Sequence, residues 1–151
     1  MDYIITDARE EMLPQLHAIE QACFSVPWTE AMLRAQMAPE THIFLAAVAD
    51  GTVLGYIGLM YVLDEGYISN VAVTPQFRRQ GIAEALIRAL IGRAEEKQLA
   101  FLTLEVRAGN APAIALYEKC GFSAVGCRKN YYEKPTEDAI LMTRLLEKTD
   151  G

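Results

Sequence analysis

The chain has 151 residues, of which 52% are hydrophobic and 23% charged, with a formal net charge of −6. That length suggests one domain spanning residues 1–151, and the composition can bury a sizeable core rather than stay disordered. The acidic balance argues against direct nucleic-acid binding, which needs surplus Lys and Arg, and favours a cationic partner or substrate.

In chain order, YIIT reads as a short strand. EEMLPQLHAIEQACF sets Leu13, Leu16, Ile19 and Cys23 at helical spacing, with Pro14 confined to the first turn. SVPW breaks the pattern and TEAMLRAQM resumes it as a second helix, with Thr29 as N-cap. HIFLAAVA and TVLGYIGLMYVL are apolar and β-branched, and Asp50-Gly51 between them signals a hairpin. EGYISNVAV is a third strand, stopped by Thr74-Pro75. IAEALIRALIGRAEEKQ is the clearest helix, with Ile82, Ala85, Leu86, Ala89 and Leu90 on one apolar face. AFLTLEV is apolar enough for a central strand. NAPAIALYEKCGF is a helix punctuated at both ends: Asn110 can cap it, Pro112 suits its first turn and Gly121 its C′ position. FSAVGCRKNYY and AILMTRLL close the chain as two strands. The pattern predicts an α/β fold with a mixed sheet.

Cys23, Cys120 and Cys127 form no Cys-x-x-Cys pair and are odd in number, and His17 and His42 lie far from Cys120 and Cys127, so no metal site is expected. The cysteines read as packing residues and fit a reducing cytosol. His17 reads as structural, and His42 has no evident partner. The acidic N-terminus is no signal peptide, and no apolar run can span a bilayer. A soluble, cytoplasmic chain without membrane contact is the expectation.

The stretch RRQGIAEALI, Arg78 to Ile87, joins a strand to a helix through a glycine. A helix N-terminus carries unpaired N–H groups and a partial positive charge, so this turn can seat an anion, with Arg78 and Arg79 adding charge beside it. It reads equally as a plain helix start with its arginines in solvent.

Three later features bear on that choice: Glu105 at the end of LEV, Asn110 opening the next helix, and Tyr117 in ALYEKCGF. Together with VAV and RRQGIA they make the chain resemble the GNAT family of N-acetyltransferases, over nearly its whole length. Arg78, Gly81 and Ala83 match that family's Arg/Gln-x-x-Gly-x-Gly/Ala signature. PWTE, LEVRAGNAPAIALYEKCGF and RKNYYEKPTEDAILM resemble its bacterial branch that acetylates the N-terminus of a small-subunit ribosomal protein. Three positions depart from the pattern: Ala83 replaces a second glycine, Glu84 stands where a basic residue is common, and Cys120 replaces an apolar residue.

The resemblance implies a single GNAT-like α/β domain, its mixed and mostly antiparallel central sheet flanked by helices. It implies acetyl-CoA as cosubstrate. The backbone of Arg79, Gln80, Gly81, Ile82, Ala83 and Glu84 would hold the pyrophosphate, and Val71, Ala72 and Val73 the pantetheine arm, with the Asn110 amide bonding the same arm. Glu105 would be general base and Tyr117 general acid. The acceptor would be a protein N-terminus, the alanine of a basic ribosomal protein. Trp28, Tyr131 and Tyr132 would flank a peptide groove or simply pack. Two other functions share these features: acetylation of a small cationic amine, and CoA binding without catalysis.

Overall fold

The structure, a computed structural model, describes residues 2–147. Its elements run β1 (Ile4–Asp7), α1 (Leu13–Cys23), α2 (Glu30–Ala35), β2 (His42–Ala49), β3 (Thr52–Val62), β4 (Glu65–Val73), α3 (Ile82–Glu96), β5 (Phe101–Arg107), α4 (Ala111–Lys119), β6 (Ser123–Tyr132) and β7 (Glu137–Leu145). This is the order expected from the sequence. Several boundaries differ by one to three residues, and two of them have a clear cause. Glu10–Met12 form a 3-10 turn rather than the start of α1, because Pro14 can sit only in the first helical turn and the α ladder therefore begins at Leu13. β7 starts at Glu137, two residues ahead of the apolar run, because Glu137 pairs with Tyr132 across the hairpin.

The strands form one sheet in the order β1-β2-β3-β4-β5-β7-β6, antiparallel except where β4 meets β5. On one face Ile82, Leu86, Ile87 and Leu90 of α3 pack on Ile43, Leu45, Ile57, Leu102 and Leu104. On the other, Leu13, Leu16 and Ile19 of α1 and Leu33 of α2 pack on Phe44, Ala46, Tyr56 and Ala72. Both faces of β2 are thus covered, which is why HIFLAAVA is continuously apolar rather than alternating. None of the described helices is long and apolar enough to cross a membrane.

The junction of β4 and β5 positions the site. The two strands pair only through Glu65↔Phe101, Gly66↔Leu102 and Tyr67↔Thr103. Just past Tyr67 the β3–β4 register slips: Gly58 pairs with Asn70 but Leu59 with Ile68, which leaves Ser69 as an extra residue in β4. Such a bulge bends its strand and increases the twist. From there β4 stays with β3 while β5 stays with β7, and a wedge opens between them. Leu102, Leu104 and Val106 of β5 point into the α3 core, so Thr103, Glu105 and Arg107 face the α1 side.

Candidate active site

Glu105 projects at the wedge with both carboxylate oxygens engaged. The Tyr67 hydroxyl donates to Oε2 from β4. Arg128 Nε lies 3.3 Å from Oε1 on β6, and the Glu105 side chain is 6% exposed. The reach of Tyr67 follows from the register: its parallel partner is Thr103, and Glu105 is the next residue on that same face. Burial and then the Glu105 carboxylate push the Tyr67 phenol well above its usual value, so Tyr67 stays protonated and keeps donating.

Tyr117 comes from the opposite face, on α4, packed at the edge of the α3 core. Its helix is closed at both ends by its own sequence. Asn110 Oδ1 accepts from Ala113 N–H at 3.3 Å, as expected for an N-cap. At the other end Gly121 N–H bonds the Glu118 carbonyl and Phe122 N–H bonds the Tyr117 carbonyl, both at 3.0 Å. That is a Schellman motif, with Gly121 in the left-handed region at φ 95. The Phe122 ring stands edge-on to the Tyr117 ring, centroids 5.9 Å apart. Burial, with smaller contributions from Tyr132 and Cys120, pushes the Tyr117 phenol up to about 12. It is therefore a proton donor throughout the neutral range. Burial first, and then the Glu105 charge, push the Tyr132 phenol up to about 12.

The glycine turn sits at the start of α3. Arg79 at φ 64 and Gly81 at φ 79 turn the chain twice through the left-handed region. A Cβ on Gly81 would meet nothing within 4 Å, so conformation alone calls for glycine there, and the space above it is open. The first intrahelical bond runs from Ala85 N–H to the Gly81 carbonyl at 3.0 Å. Ile82, Ala83 and Glu84 therefore present the unpaired N–H groups and positive end of the helix. Arg79, Gln80 and Gly81 are exposed, while Ile82, 2% exposed, anchors the turn. Arg78 does not face this turn. Its Nε donates to the Val73 carbonyl at 3.2 Å and its Nη2 donates to Cys23 Sγ at 3.2 Å, so it braces the end of β4. Glu84, unexpected at an anion seat, is offset by Lys119 and Arg88, each at 2.9 Å, which hold its carboxyl below the usual range.

Along β4, Thr74 N–H bonds the Leu54 carbonyl of β3. Strand alternation then turns the backbone groups of Ala72 toward β3 and those of Val71 and Val73 toward the open side of the wedge.

The Acetyltransferase (GNAT) family model matches residues 13–122. The chain belongs to the GNAT acetyltransferase family. It is 36% identical over 140 residues to the putative ribosomal protein bS18-alanine N-acetyltransferase of Bacillus subtilis, covering 91% of this chain and 92% of the relative. It is 40% identical over 134 residues to the ribosomal protein bS18-alanine N-acetyltransferase of Escherichia coli K12, covering 86% and 88%. The crystal structure of the ribosomal-protein-S18-alanine N-acetyltransferase from Escherichia coli superposes with a TM-score of 0.91 at 36% identity, covering 99% and 97% of the two chains.

Trp28, Tyr131 and Tyr132, which could flank a peptide or simply pack, each have defined neighbours. Arg107 organises the β6–β7 hairpin. It donates to the Pro135 carbonyl at 2.9 Å, the Glu133 carbonyl at 3.0 Å and Glu137 Oε1 at 3.3 Å. Its guanidinium lies 4.5 Å from the centroid of Tyr132, and Glu137 also accepts Gly109 N–H at 2.6 Å. Tyr131 stands edge-on to Tyr132 and is 46% exposed. The backbone of Trp28 is gripped by α1: its N–H donates to Glu20 Oε1 at 2.8 Å, and its carbonyl accepts from His17 Nδ1 at 3.0 Å. Glu20, 1% exposed, also accepts from Asn70 at 2.7 Å and from the Tyr56 hydroxyl.

His17 is structural, as its position suggested, whereas His42 does have a partner in Thr41 Oγ1 at 2.8 Å. Cys120 packs, but Cys127 is exposed on the edge strand β6 and Cys23 contacts Arg78. Sequence reasoning missed Tyr67, Arg128, Arg107 and Glu20. Each acts through a partner at least eight residues away, and no spacing rule reports that.

Proposed function

We propose that this chain transfers the acetyl group of acetyl-CoA to the N-terminal α-amino group of a protein, the alanine of a small-subunit ribosomal protein. The observations that support the reading are a carboxylate, Glu105, held by Tyr67 on the α1 face of the sheet beside the wedge, and a tyrosine, Tyr117, kept protonated by burial on the α3 face. The relatives from Bacillus subtilis and Escherichia coli support the choice of acceptor.

The N–H groups of Arg79, Gln80, Gly81, Ile82, Ala83 and Glu84 would hold the pyrophosphate. Val71 and Val73, flanking Ala72, pair with the extended arm of the cosubstrate along the open side of β4, and the Asn110 amide adds a contact. Acetyl-CoA, when bound, supplies a thioester carbonyl as the acyl donor. A β4 N–H near that carbonyl oxygen stabilises the charge that develops on it. Glu105 removes the proton from the attacking amine, and Tyr117 returns a proton to the departing sulfur. An α-amino group ionises near 7.7–8.0 against about 10.4 for lysine, so freeing it at neutral pH is easier by roughly 3–4 kcal/mol.

Incubation with acetyl-CoA and basic peptides that begin with alanine, read by mass spectrometry, tests this. The expected result is acetylation of the α-amine. Efficient acetylation of polyamines without any peptide product would overturn the acceptor assignment.

A further inference from the structure

Glu105 is held by two partners of different character. Tyr67 is half-buried on β4, at the last paired position beside β5. Arg128 sits on β6, the edge strand, where every residue from Ser123 to Tyr131 is exposed. Register slips flank it on both sides, between Ala124 and Gly126 and between Arg128 and Tyr132. Its side chain is 56% exposed against 6% for Glu105, and its other contact is the Tyr131 ring, 5.9 Å from the centroid. An exposed, long side chain on a loosely paired edge gains little from one ion pair and leaves it readily.

The guanidinium brings one positive charge within 3.3 Å of Glu105 Oε1. A protonated α-amine brings the same charge. We propose that Arg128 is a charge stand-in for the acceptor: it occupies Glu105 in the free enzyme and yields to the incoming α-ammonium, and so sets the requirement for a cationic amine. This rests on the reading of Glu105 as the base. The carboxylate thereby has a cationic partner in both states, and the acceptor must compete for it.

The ionisable groups facing Glu105 are Tyr67 on β4, Arg107 on β5 with its partner Glu137 on β7, and Arg128, Tyr131 and Tyr132 on β6. Arg107 is already paired with Glu137. Arg128 is the cation whose loss leaves the carboxylate without charge compensation.

The test compares wild type, Arg128→Gln and Arg128→Lys with an alanine-initiated peptide. In Arg128→Gln the KM for peptide is expected to fall severalfold, the KM for acetyl-CoA to stay unchanged, and the acid limb of kcat/KM to move to higher pH. Arg128→Lys is expected to restore the wild-type pattern. An unchanged peptide KM would mark Arg128 as a bystander, and a raised one as a peptide contact; either overturns the proposal. Glu105→Gln separates the two levels. Undiminished turnover in that variant sinks the base assignment itself, whereas slow turnover beside an unmoved peptide KM in Arg128→Gln sinks the stand-in role alone.

Discussion

The helix that carries Tyr117 is closed by residues close to it in the chain: Asn110 caps Ala113, Gly121 bonds Glu118, and Phe122 bonds and packs on Tyr117. Glu105 stands in a strand of ordinary appearance and is defined from afar, by Tyr67 at a separation of 38 residues and by Arg128 on another strand. One half of the proposed proton traffic is thus built by local geometry and the other by the closure of the sheet. A locally built site should fail through stability when its turn is broken, and a remotely built one through chemistry while the fold persists.

Replacing Glu105 by Gln should give the largest effect, a loss of roughly 10²–10⁴-fold in kcat, with little change in thermal midpoint. Equal losses in stability and rate would mean that Glu105 is a structural residue. Gly121→Val strikes the other region. The left-handed φ alone costs about 1–2 kcal/mol, and a Cβ there would lie 2.8 Å from Arg144 Nε. Denaturant midpoint and kcat are expected to drop together, because the bond from Phe122 to the Tyr117 carbonyl opens with the turn.

Asn110→Ala should cost about 1 kcal/mol of stability through the lost cap. Asn110→Asp keeps the cap, so stability regained without a regained KM for acetyl-CoA would show that the amide has its own contact with the cosubstrate. The last prediction changes a slope. Burial raises the Glu20 carboxyl above its ordinary 4.5, against the opposing bonds from Trp28 and Asn70. The folded chain therefore binds this proton more tightly than the unfolded one. The stabilising contribution is complete below the unfolded value and is lost as pH rises through the folded one. Glu20→Gln cannot satisfy the same three donors and lowers stability, but its deficit against wild type should shrink as pH rises above the ordinary 4.5 in equilibrium unfolding.

Much of this could be read from the chain. Periodicity located α3 and its buried face, Asp50-Gly51 the first hairpin, and Asn110, Pro112 and Gly121 the bounds of α4, because each rests on contacts within a turn or two. Gly81 marked the turn into α3 for the same reason. The direction of Arg78 was not readable: two arginines beside a glycine turn look alike until the end of β4 and Cys23 claim one of them. The slip that leaves Ser69 unpaired has no sequence mark either, since a bulge shows only in the partner strand's register.

By itself, then, the sequence determined the order of the elements, the bounds of α4, the glycine turn and the local closure of the helix around Tyr117, all of which depend on backbone preference and neighbours along the chain. Only the tertiary structure decided that β4 and β5 part beyond Tyr67, that Tyr67 and Arg128 share the Glu105 carboxylate, and that Glu20 grips the Trp28 backbone. Those arrangements depend on which strands lie side by side, and a hydrogen bond across a sheet leaves no periodic trace in either strand that makes it.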